Sequence, residues 1–284
     1  MTTDTWATPR QTTINSIFHP TDFSKGPDIA FAHALKLAWA TNSRLTLFHV
    51  NENLDDLNWY DFPSVRATLE QWRRISKESK IPYMNHSNIE IEKILGRGKD
   101  PSTAILRYLE RHPANLIVLA THQLGGYPFF PSVAEPVARK SGSMTLFIPQ
   151  STEGFVSVKD GALKLEKILI PVDDDPPPRV AVHAAAAFVD AVNCENVSFV
   201  TVHIGDDLTK PPIHPAPHSQ GTWTHTVRPG DVVQEILQVE QEERPNLIVM
   251  PTQGHNGFLD ALRGSTTERV IREAHCPILA VPTD

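Results

Sequence analysis

The chain repeats itself, and this internal duplication constrains the possible fold more than any other feature of the sequence. The first half reads INSIFHPTDFSKGPDIAFAHALKLA from Ile14, and the second half reads LEKILIPVDDDPPPRVAVHAAAAFV from Leu165. Each segment is a short apolar strand that ends in Pro-x-Asp and is followed by a turn and an Ala-rich helical stretch. Matching segments follow in the same order, down to the closing MTLFIP and CPILAVP. The sequence therefore predicts two copies of one domain.

The repeat also sets the domain boundaries. A chain of 284 residues is long for one domain and comfortable for two. We predict an N-terminal domain over residues 12–149 and a C-terminal domain over residues 165–284. Residues 150–164, STEGFVSVKDGALKL, are predicted to form a polar link between the copies.

Short apolar strands alternate with amphipathic helices inside each copy. NLIVLA and NLIVMP are continuous apolar runs, as expected of strands that are buried on both faces of a parallel sheet. The stretches AILRYLERH and VVQEILQVEQEE repeat apolar residues at intervals of three and four, which is typical of one-sided helices. The alternation predicts an α/β fold, in which each copy has a five-stranded, mainly parallel sheet between helices.

Ligands of such sheets bind at the carboxyl ends of the strands. That edge is predicted to carry Asp22 and Asp173, His49 and His203, and the loops after Leu119 and Met250. In the second copy the loop reads PTQGHNGFLDALRGSTTERVIREA. Gly254 is followed by nine residues and then by Gly264 and Ser265, which open a predicted helix.

This loop resembles that of the universal stress protein family, whose ATP-binding members carry Gly-x-x-Gly, nine residues, and then Gly-Ser or Gly-Thr. The resemblance covers both copies, and it implies two tandem Rossmann-like domains of the adenine nucleotide alpha hydrolase-like type. Glycines let the backbone approach a triphosphate closely, and N–H groups at a helix N-terminus then hold its charge. The site implied by the resemblance comprises Pro171, Asp173, Ile204, Met250, Gly254, Gly264, Ser265, Thr266 and Thr267.

In that site, Gly254, Gly264 and Ser265 would surround the phosphates, with Thr266 and Thr267 behind them. Asp173 matches an Asp near the nucleoside, and Ile204 matches a position that contacts adenine through its backbone. The sequence departs from the family pattern at Pro251, which replaces the first glycine and removes an N–H donor.

The first copy departs further from the pattern. Gln123 replaces the second glycine, and no glycine precedes Ser132. The first copy is therefore predicted to have lost the triphosphate site, although Asp22 remains. Tyr127, Phe129 and Phe130 leave open a different, more apolar ligand there.

Structural roles compete with these site assignments. Ser265-x-x-Glu268 and Ser132-x-x-Glu135 both match capping boxes, which close helix N-termini without a ligand. Asp22 and Asp173 could cap the helices that follow them. His49 and His203 are predicted to be structural histidines.

A His-rich loop and an acidic run offer alternative metal sites. The loop from Gly205 to Thr226 holds His214, His218 and His225, which together with His203 could bind zinc or copper, although a Pro-rich loop is usually a solvated connection. The carboxylates of residues 173–175 could hold Mg²⁺ with a nucleotide, or serve the turn.

Composition excludes several classes of protein. A net charge of −7 argues against a general nucleic-acid binder. The sequence has no run long enough to span a membrane and no secretory signal pattern. Cys194 and Cys276 give neither a metal spacing nor a disulfide framework, so a cytoplasmic location is expected.

These patterns predict a stress-response regulatory protein that binds ATP, or AMP or ADP, in its C-terminal copy, with Mg²⁺ as a candidate companion. No nucleophile lies beside a base, so no catalytic residue is assigned. A nucleotide-free protein-interaction paralogue and a slow ATPase remain alternatives. The family resemblance implies that the copies pack as a pseudo-dimer around Phe147 and Leu279, and a homodimer of the whole chain is a further candidate, with an unknown protein partner.

Overall fold

The computed structural model describes most of the chain. The described residues are 13–23, 28–53, 59–76, 89–121, 133–215, 221–252 and 266–283. None of the helices in these ranges is both long enough and apolar enough to cross a membrane.

The first copy alternates strands and helices as its sequence pattern predicts. Its elements are β1 (Ser16–Pro20), α1 (Ile29–Thr41), β2 (Arg44–Asn51), a 3-10 turn (Trp59–Asp61), α2 (Val65–Gln71), β3 (Ile91–Arg97), α3 (Pro101–Arg111), β4 (Leu116–Thr121), α4 (Ala134–Ser141) and β5 (Met144–Pro149).

The second copy follows the same order, except that its described residues hold no counterpart of the 3-10 turn and α2. Its elements are β6 (Lys167–Pro171), α5 (Arg179–Ala191), β7 (Val197–Ile204), β8 (Gly221–Arg228), α6 (Val232–Glu243), β9 (Leu247–Thr252), α7 (Thr266–Glu273) and β10 (Ile278–Pro282). The strand β8 corrects one expectation, because the predicted loop from Gly205 to Thr226 ends in a strand that pairs along its length with β7.

The ten strands of the described residues lie in one sheet, in the order β3-β2-β1-β4-β5-β10-β9-β6-β7-β8. Each half of this order is the same five-strand arrangement, and the strands within each half are parallel. Ile17 lies opposite Leu45 in the first half, and Ile168 lies opposite Phe199 in the second. The fold is therefore the predicted α/β architecture, repeated along one chain.

The two halves meet through their last strands. The strand β5 pairs with β10 in the antiparallel direction, with Phe147 opposite Ile278 and Leu146 opposite Leu279. This is the region in which the family resemblance places the contact between the copies. Because the strands pair edge to edge, the sheet continues across this junction without an exposed edge on either side of it.

Local sequence explains where the helices begin. The Asp28 carboxylate accepts a hydrogen bond of 2.7 Å from the Phe31 N–H at the start of α1. Asp100 and Asp231 cap α3 and α6, which occupy matching places in the two copies. An Asp at this position satisfies N–H groups that the first helical turn leaves unpaired.

The apolar cores also run across both copies. One core, on one face of the sheet, includes Leu35 of α1 and Ala185 of α5, both fully buried. The core on the other face includes Ile105 of α3 and Val270 of α7. Each face of the sheet is thus covered by helices from both halves, as a sheet buried on both sides requires.

The link between the copies differs from the polar segment that its composition predicts. Phe155 and Val156 are each 1% exposed. The Phe155 ring packs edge-on against His33 of α1 and Phe188 of α5, with ring centroids 4.6 and 6.1 Å away. Val158 accepts a 2.9 Å hydrogen bond from the Trp72 indole through its carbonyl oxygen. The link is therefore a packed part of the junction.

Candidate functional site

Three neighbouring strands bring the predicted nucleoside residues of the second copy to one edge. The strand β6 lies between β7 and β9, and all three run parallel. Pro171 and Met250, near the ends of β6 and β9, are buried, and Ile204 at the end of β7 is half-buried. This edge therefore offers an apolar floor at the carboxyl ends of the strands, where ligands of open α/β sheets bind.

Asp173 stands at this edge beside His203. Its carboxylate Oδ1 lies 3.9 Å from His203 Nδ1, and the Asp173 side chain is 69% exposed while that of His203 is 4% exposed. His203 Nδ1 donates to the Val172 carbonyl at 3.2 Å, and Nε2 contacts the Thr209 hydroxyl at 3.1 Å. His203 therefore acts as the structural histidine that its position predicts, and Asp173 stays open to solvent.

The helix-capping alternative does not hold for Asp173 or Asp22. The helix α5 has Pro178 at its N-cap, without a side-chain hydrogen bond, and α1 is capped by Asp28. Asp173 instead accepts a 2.9 Å hydrogen bond from the N–H of Asp174. A carboxylate held at a strand end but not used by a helix is available to a ligand.

Part of the predicted phosphate site lies outside the described residues, namely Gly254, Gly264 and Ser265. The helix α7, which follows them, begins at Thr266 and buries Thr267. Within it, the Glu268 carboxylate forms an ion pair with Arg272. Pro251 lies in β9 opposite Val281 of β10.

In the first copy a cleft of about 790 Å³ opens at the corresponding edge. The ends of β1, β2 and β4, the turn before α3 and the start of α4 line it. Its apolar walls include Phe48, Val50, Ile105 and Leu119, and its polar lining includes His19, Asp22, Asp28, Glu52 and Lys99. The volume lies within the range of small-molecule sites in proteins.

Two of these lining residues, His19 and Asp28, were not singled out by the sequence patterns. His19 is 2% exposed, and its Nδ1 lies 2.9 Å from the Val118 carbonyl oxygen. Its Nε2 lies 3.7 Å from Asp28 Oδ2, within the distance of an ion pair. Burial raises the pKa of the Asp28 carboxyl, but His19 and the Phe31 N–H outweigh burial and hold that pKa below its ordinary value. The sequence did offer one signal for this site, because His19 is a histidine within a short apolar strand.

The start of α4 differs from a phosphate-binding helix end. Its N-cap residue, Val133, makes no side-chain capping hydrogen bond, and Glu135 lies in the first turn. Pro136 occupies the third helical position and has no N–H to donate. Gln123, Tyr127, Phe129, Phe130 and Ser132, also considered from the sequence, lie outside the described residues.

His49 has a structural role in the wall of this cleft. Its Nδ1 donates to the Thr21 carbonyl at 2.7 Å, and its ring stacks on Phe23 with centroids 3.6 Å apart. Phe23 in turn meets Phe62 edge-on, and Phe62 stacks with the exposed Trp59. A series of aromatic rings therefore runs from the cleft wall to the surface.

Among the described residues, no group of three His, Cys, Asp or Glu side chains is placed to hold a metal ion. In the His-rich region, His225 contacts the Thr201 hydroxyl at 2.6 Å, and both ring nitrogens of His203 have partners. His214 is exposed, and His218 lies outside the described ranges.

The same order of parallel strands occurs twice, and in each copy the carboxyl ends of the strands lie together, where ligands of open α/β sheets bind. This arrangement defines a tandem Rossmann-like α/β protein. The chain belongs to the universal stress protein family, because the model of that family matches residues 13–149 and 214–282, which is more than half of its length.

Comparisons with individual proteins agree with this assignment. A universal stress protein of Methanocaldococcus jannaschii is 42% identical over 62 residues, which cover 22% of this chain and 36% of that protein. A crystallised universal stress protein from Archaeoglobus fulgidus has a TM-score of 0.60 at 16% identity, covering 94% of this chain and 98% of that one. A functionally unknown protein from Pseudomonas aeruginosa has a TM-score of 0.63 at 14% identity, covering 96% of this chain and 94% of that one. The two structural matches show the fold alone.

Proposed function

We propose that this universal stress protein is a regulatory binding module, and that its C-terminal copy holds an adenine nucleotide, with ATP as the first candidate. The observation that carries the proposal is the meeting of Pro171, Asp173, Ile204 and Met250 at one edge of the sheet. The helix α7, whose first turn follows the glycine-rich segment, belongs to the same copy.

The chemistry of this edge suits the parts of a nucleotide. The half-buried Ile204 and buried Met250 offer apolar surface to a base, and the exposed Asp173 offers an acceptor for hydroxyl or amino groups. Asp174 and Asp175 are also exposed, so oxygen ligands for Mg²⁺ lie at the same strand end. Backbone N–H groups from the glycine-rich segment would supply the phosphate contacts.

The hydrogen bonds of His203 favour a binding role over a catalytic one, because both of its ring nitrogens already have partners. The imidazole beside Asp173 uses Nδ1 on the Val172 carbonyl and Nε2 on the Thr209 hydroxyl. A general base needs a free lone pair within reach of the proton that it removes. We therefore propose that bound nucleotide is held as a signal, and that hydrolysis is at most slow.

Calorimetric titration of ATP with Mg²⁺ into nucleotide-free protein tests the proposal. We expect one binding site per chain. A Gly264→Val variant should weaken binding by at least about tenfold, because a branched side chain keeps the backbone away from phosphate. The matched control is Gly125→Val, in the corresponding loop of the first copy, which should bind as the wild type does.

Two results would change the conclusion. An absence of binding heat in nucleotide-free wild type would favour the protein-interaction paralogue, for which the replacement of a motif glycine by Pro251 is the supporting observation. Release of phosphate that requires Mg²⁺ and stops in an Asp173→Asn variant would instead establish a slow ATPase.

A further inference from the structure

The ten-stranded sheet ends in two edge strands of different character, β3 and β8. The strand β3 carries Glu92, Lys93 and Arg97, and charges of this kind discourage pairing with another chain. The strand β8 is eight residues long and has no proline and no Asp, Glu, Lys or Arg before Arg228 at its last position. Proteins usually protect an edge with charges, prolines or bulges, so β8 is an edge without the usual protection.

The main chain of β8 is regular along its whole length. Each of its residues pairs with one residue of β7 in an uninterrupted register, so no bulge twists the edge away. The Arg228 carbonyl accepts a hydrogen bond of 2.8 Å from the Gly205 N–H, which shows that Arg228 directs its main-chain groups toward β7. Because successive residues of a strand direct these groups to opposite sides, those of His225 and Val227 point to the outer side.

The outer strand is also open to solvent. Gly221, Thr222, Thr224 and His225 are exposed, whereas β3 is half-buried except at Arg97. Among the described residues, no strand follows β8 in the sheet. A long, regular and exposed edge of this kind is a template on which another strand can pair.

The sequence of β8 is symmetric about Thr224. Trp223 and His225 flank it with aromatic rings, and Thr222 and Thr226 lie two positions away on either side. When two copies of this strand pair in the antiparallel direction about a two-fold axis at Thr224, each threonine lies opposite a threonine and Trp223 lies opposite His225. Thr–Thr and aromatic pairs across strands are favourable, so the partner that this pattern fits is a second copy of the chain.

The same register keeps charge out of the contact and limits the assembly to two chains. Arg228 lies just beyond the paired segment, where it forms an ion pair with Glu242 of α6. Each chain has one β8, and pairing about a two-fold axis uses it completely. The edges that remain are the two β3 strands, whose charges oppose further pairing.

We propose that the chain forms a homodimer in which β8 pairs with β8 of a second copy, antiparallel and centred on Thr224, so that two ten-stranded sheets become one. Within a single chain, β5 and β10 already join two copies of one fold by antiparallel pairing of edge strands. The dimer goes beyond the proposed nucleotide function and does not depend on it.

Sedimentation equilibrium of the nucleotide-free, full-length protein at pH 8 measures the assembly. We expect a dimer with a Kd on the order of 10 μM. Thr224→Lys places two positive charges opposite each other at the axis and should raise this Kd by at least about tenfold. Gln238→Lys, which adds the same charge on the exposed face of α6, should leave the Kd unchanged. Urea denaturation checks that both variants are folded.

Disulfide formation tests the register. The main-chain groups of Thr224 point toward β7, so the two copies of Thr224 form a non-hydrogen-bonded pair with Cα atoms about 4.5 Å apart, within reach of a disulfide. Oxidised glutathione should therefore crosslink a Thr224→Cys protein into a dimer. The matched control is Thr222→Cys, whose two copies would lie at least about 13 Å apart and should not crosslink. Wild type, with Cys194 and Cys276, shows the background.

Three outcomes would overturn the proposal. The first is a protein that stays monomeric at tenfold the expected Kd. The second is a dimer that Thr224→Lys leaves intact, and the third is crosslinking through Thr222→Cys as readily as through Thr224→Cys, because either result places the contact elsewhere. ATP is absent throughout, so a failure of this proposal leaves the nucleotide site untouched, and a failure of ATP to bind leaves the dimer untouched.

Discussion

His33 and Phe155, 122 residues apart in the chain, are joined by a 3.0 Å hydrogen bond from the Phe155 N–H to the His33 Nε2. The same nitrogen accepts from the Val156 N–H at 3.1 Å, and Nδ1 donates to the Ile29 carbonyl at 2.7 Å. An imidazole that accepts two N–H groups at Nε2 must be neutral there. Burial lowers the pKa of His33 to about 4.

This contact predicts a loss of stability in mild acid. An unfolded histidine has a pKa of about 6.5, so between about pH 6.5 and 4 the unfolded chain binds a proton that folded His33 does not. The free energy of unfolding should therefore fall as the pH is lowered through this window, with about 3 kcal/mol as the upper limit of the His33 share. Urea denaturation at a series of pH values measures it.

Two substitutions separate this effect from other histidines. His33→Gln retains an acceptor but cannot titrate, so its free energy of unfolding should depend less on pH in this window. His112→Gln removes an exposed histidine and should leave the wild-type pH dependence. A His33→Gln protein with the same pH dependence as wild type would contradict the prediction.

Phe155→Ala should destabilise both copies. The ring fills the space between α1 and α5, and it is 1% exposed, so its removal leaves a cavity that costs about 3–5 kcal/mol. Val158→Ala, on the same segment but only partly buried, should cost about 1 kcal/mol or less. Chemical denaturation gives the two values, and hydrogen exchange should show faster exchange in α1 and α5 alike. Faster exchange confined to one helix would show that Phe155 does not couple the copies.

Pro251→Gly should strengthen nucleotide binding, on the basis of the proposed second-copy site. The glycine supplies a backbone N–H at the strand end, and a hydrogen bond to a charged phosphate is worth about 1.5 kcal/mol, or about tenfold in affinity. The corresponding change in the first copy, Ala120→Gly, should have no effect on ATP binding. Calorimetry compares the three proteins, and unchanged or weaker binding by Pro251→Gly would contradict the prediction.

Both cysteines should react slowly in the folded protein. Burial and the neighbouring Glu240 raise the pKa of the Cys276 thiol well above its ordinary value. Burial also raises the pKa of Cys194, although Lys36 partly opposes the effect. Because only the thiolate reacts, a colorimetric disulfide reagent at pH 8 should modify Cys194 slowly and Cys276 more slowly still. Both should react at once in denaturant, and rapid labelling of Cys276 in the native protein would contradict the prediction.

The regular part of the fold could be predicted because its signals are local. The runs NLIVLA and NLIVMP form the buried strands β4 and β9, and the helix-period stretches form α3 and α6. Because the two halves of the sequence match, the order of strands and helices predicted for the first copy also applies to the second. The packing of Phe155 was missed because its polar surroundings suggest a solvated link, whereas its partners, His33 and Phe188, are distant in sequence.

The strand β8 was missed although a weak signal was present. TWTHTV is rich in β-branched and aromatic residues, but the Pro-rich stretch before it favours a loop. In the site, the strand-end position of Asp173 followed from the Pro-x-Asp pattern. The pairing of His19 with Asp28 could not be predicted from the sequence. The chain must turn back after β1 to bring the two residues together, and nothing in their spacing predicts that turn.

The antiparallel pairing of β5 with β10 reverses the direction of every strand from one copy to the other. The carboxyl ends of the first-copy strands therefore open on one side of the ten-stranded sheet, and those of the second copy open on the opposite side. Molecules bound at the two edges would be held back to back and could not react with each other. Any effect of one bound molecule on the other would have to pass through the sheet and the β5–β10 pairing at its centre.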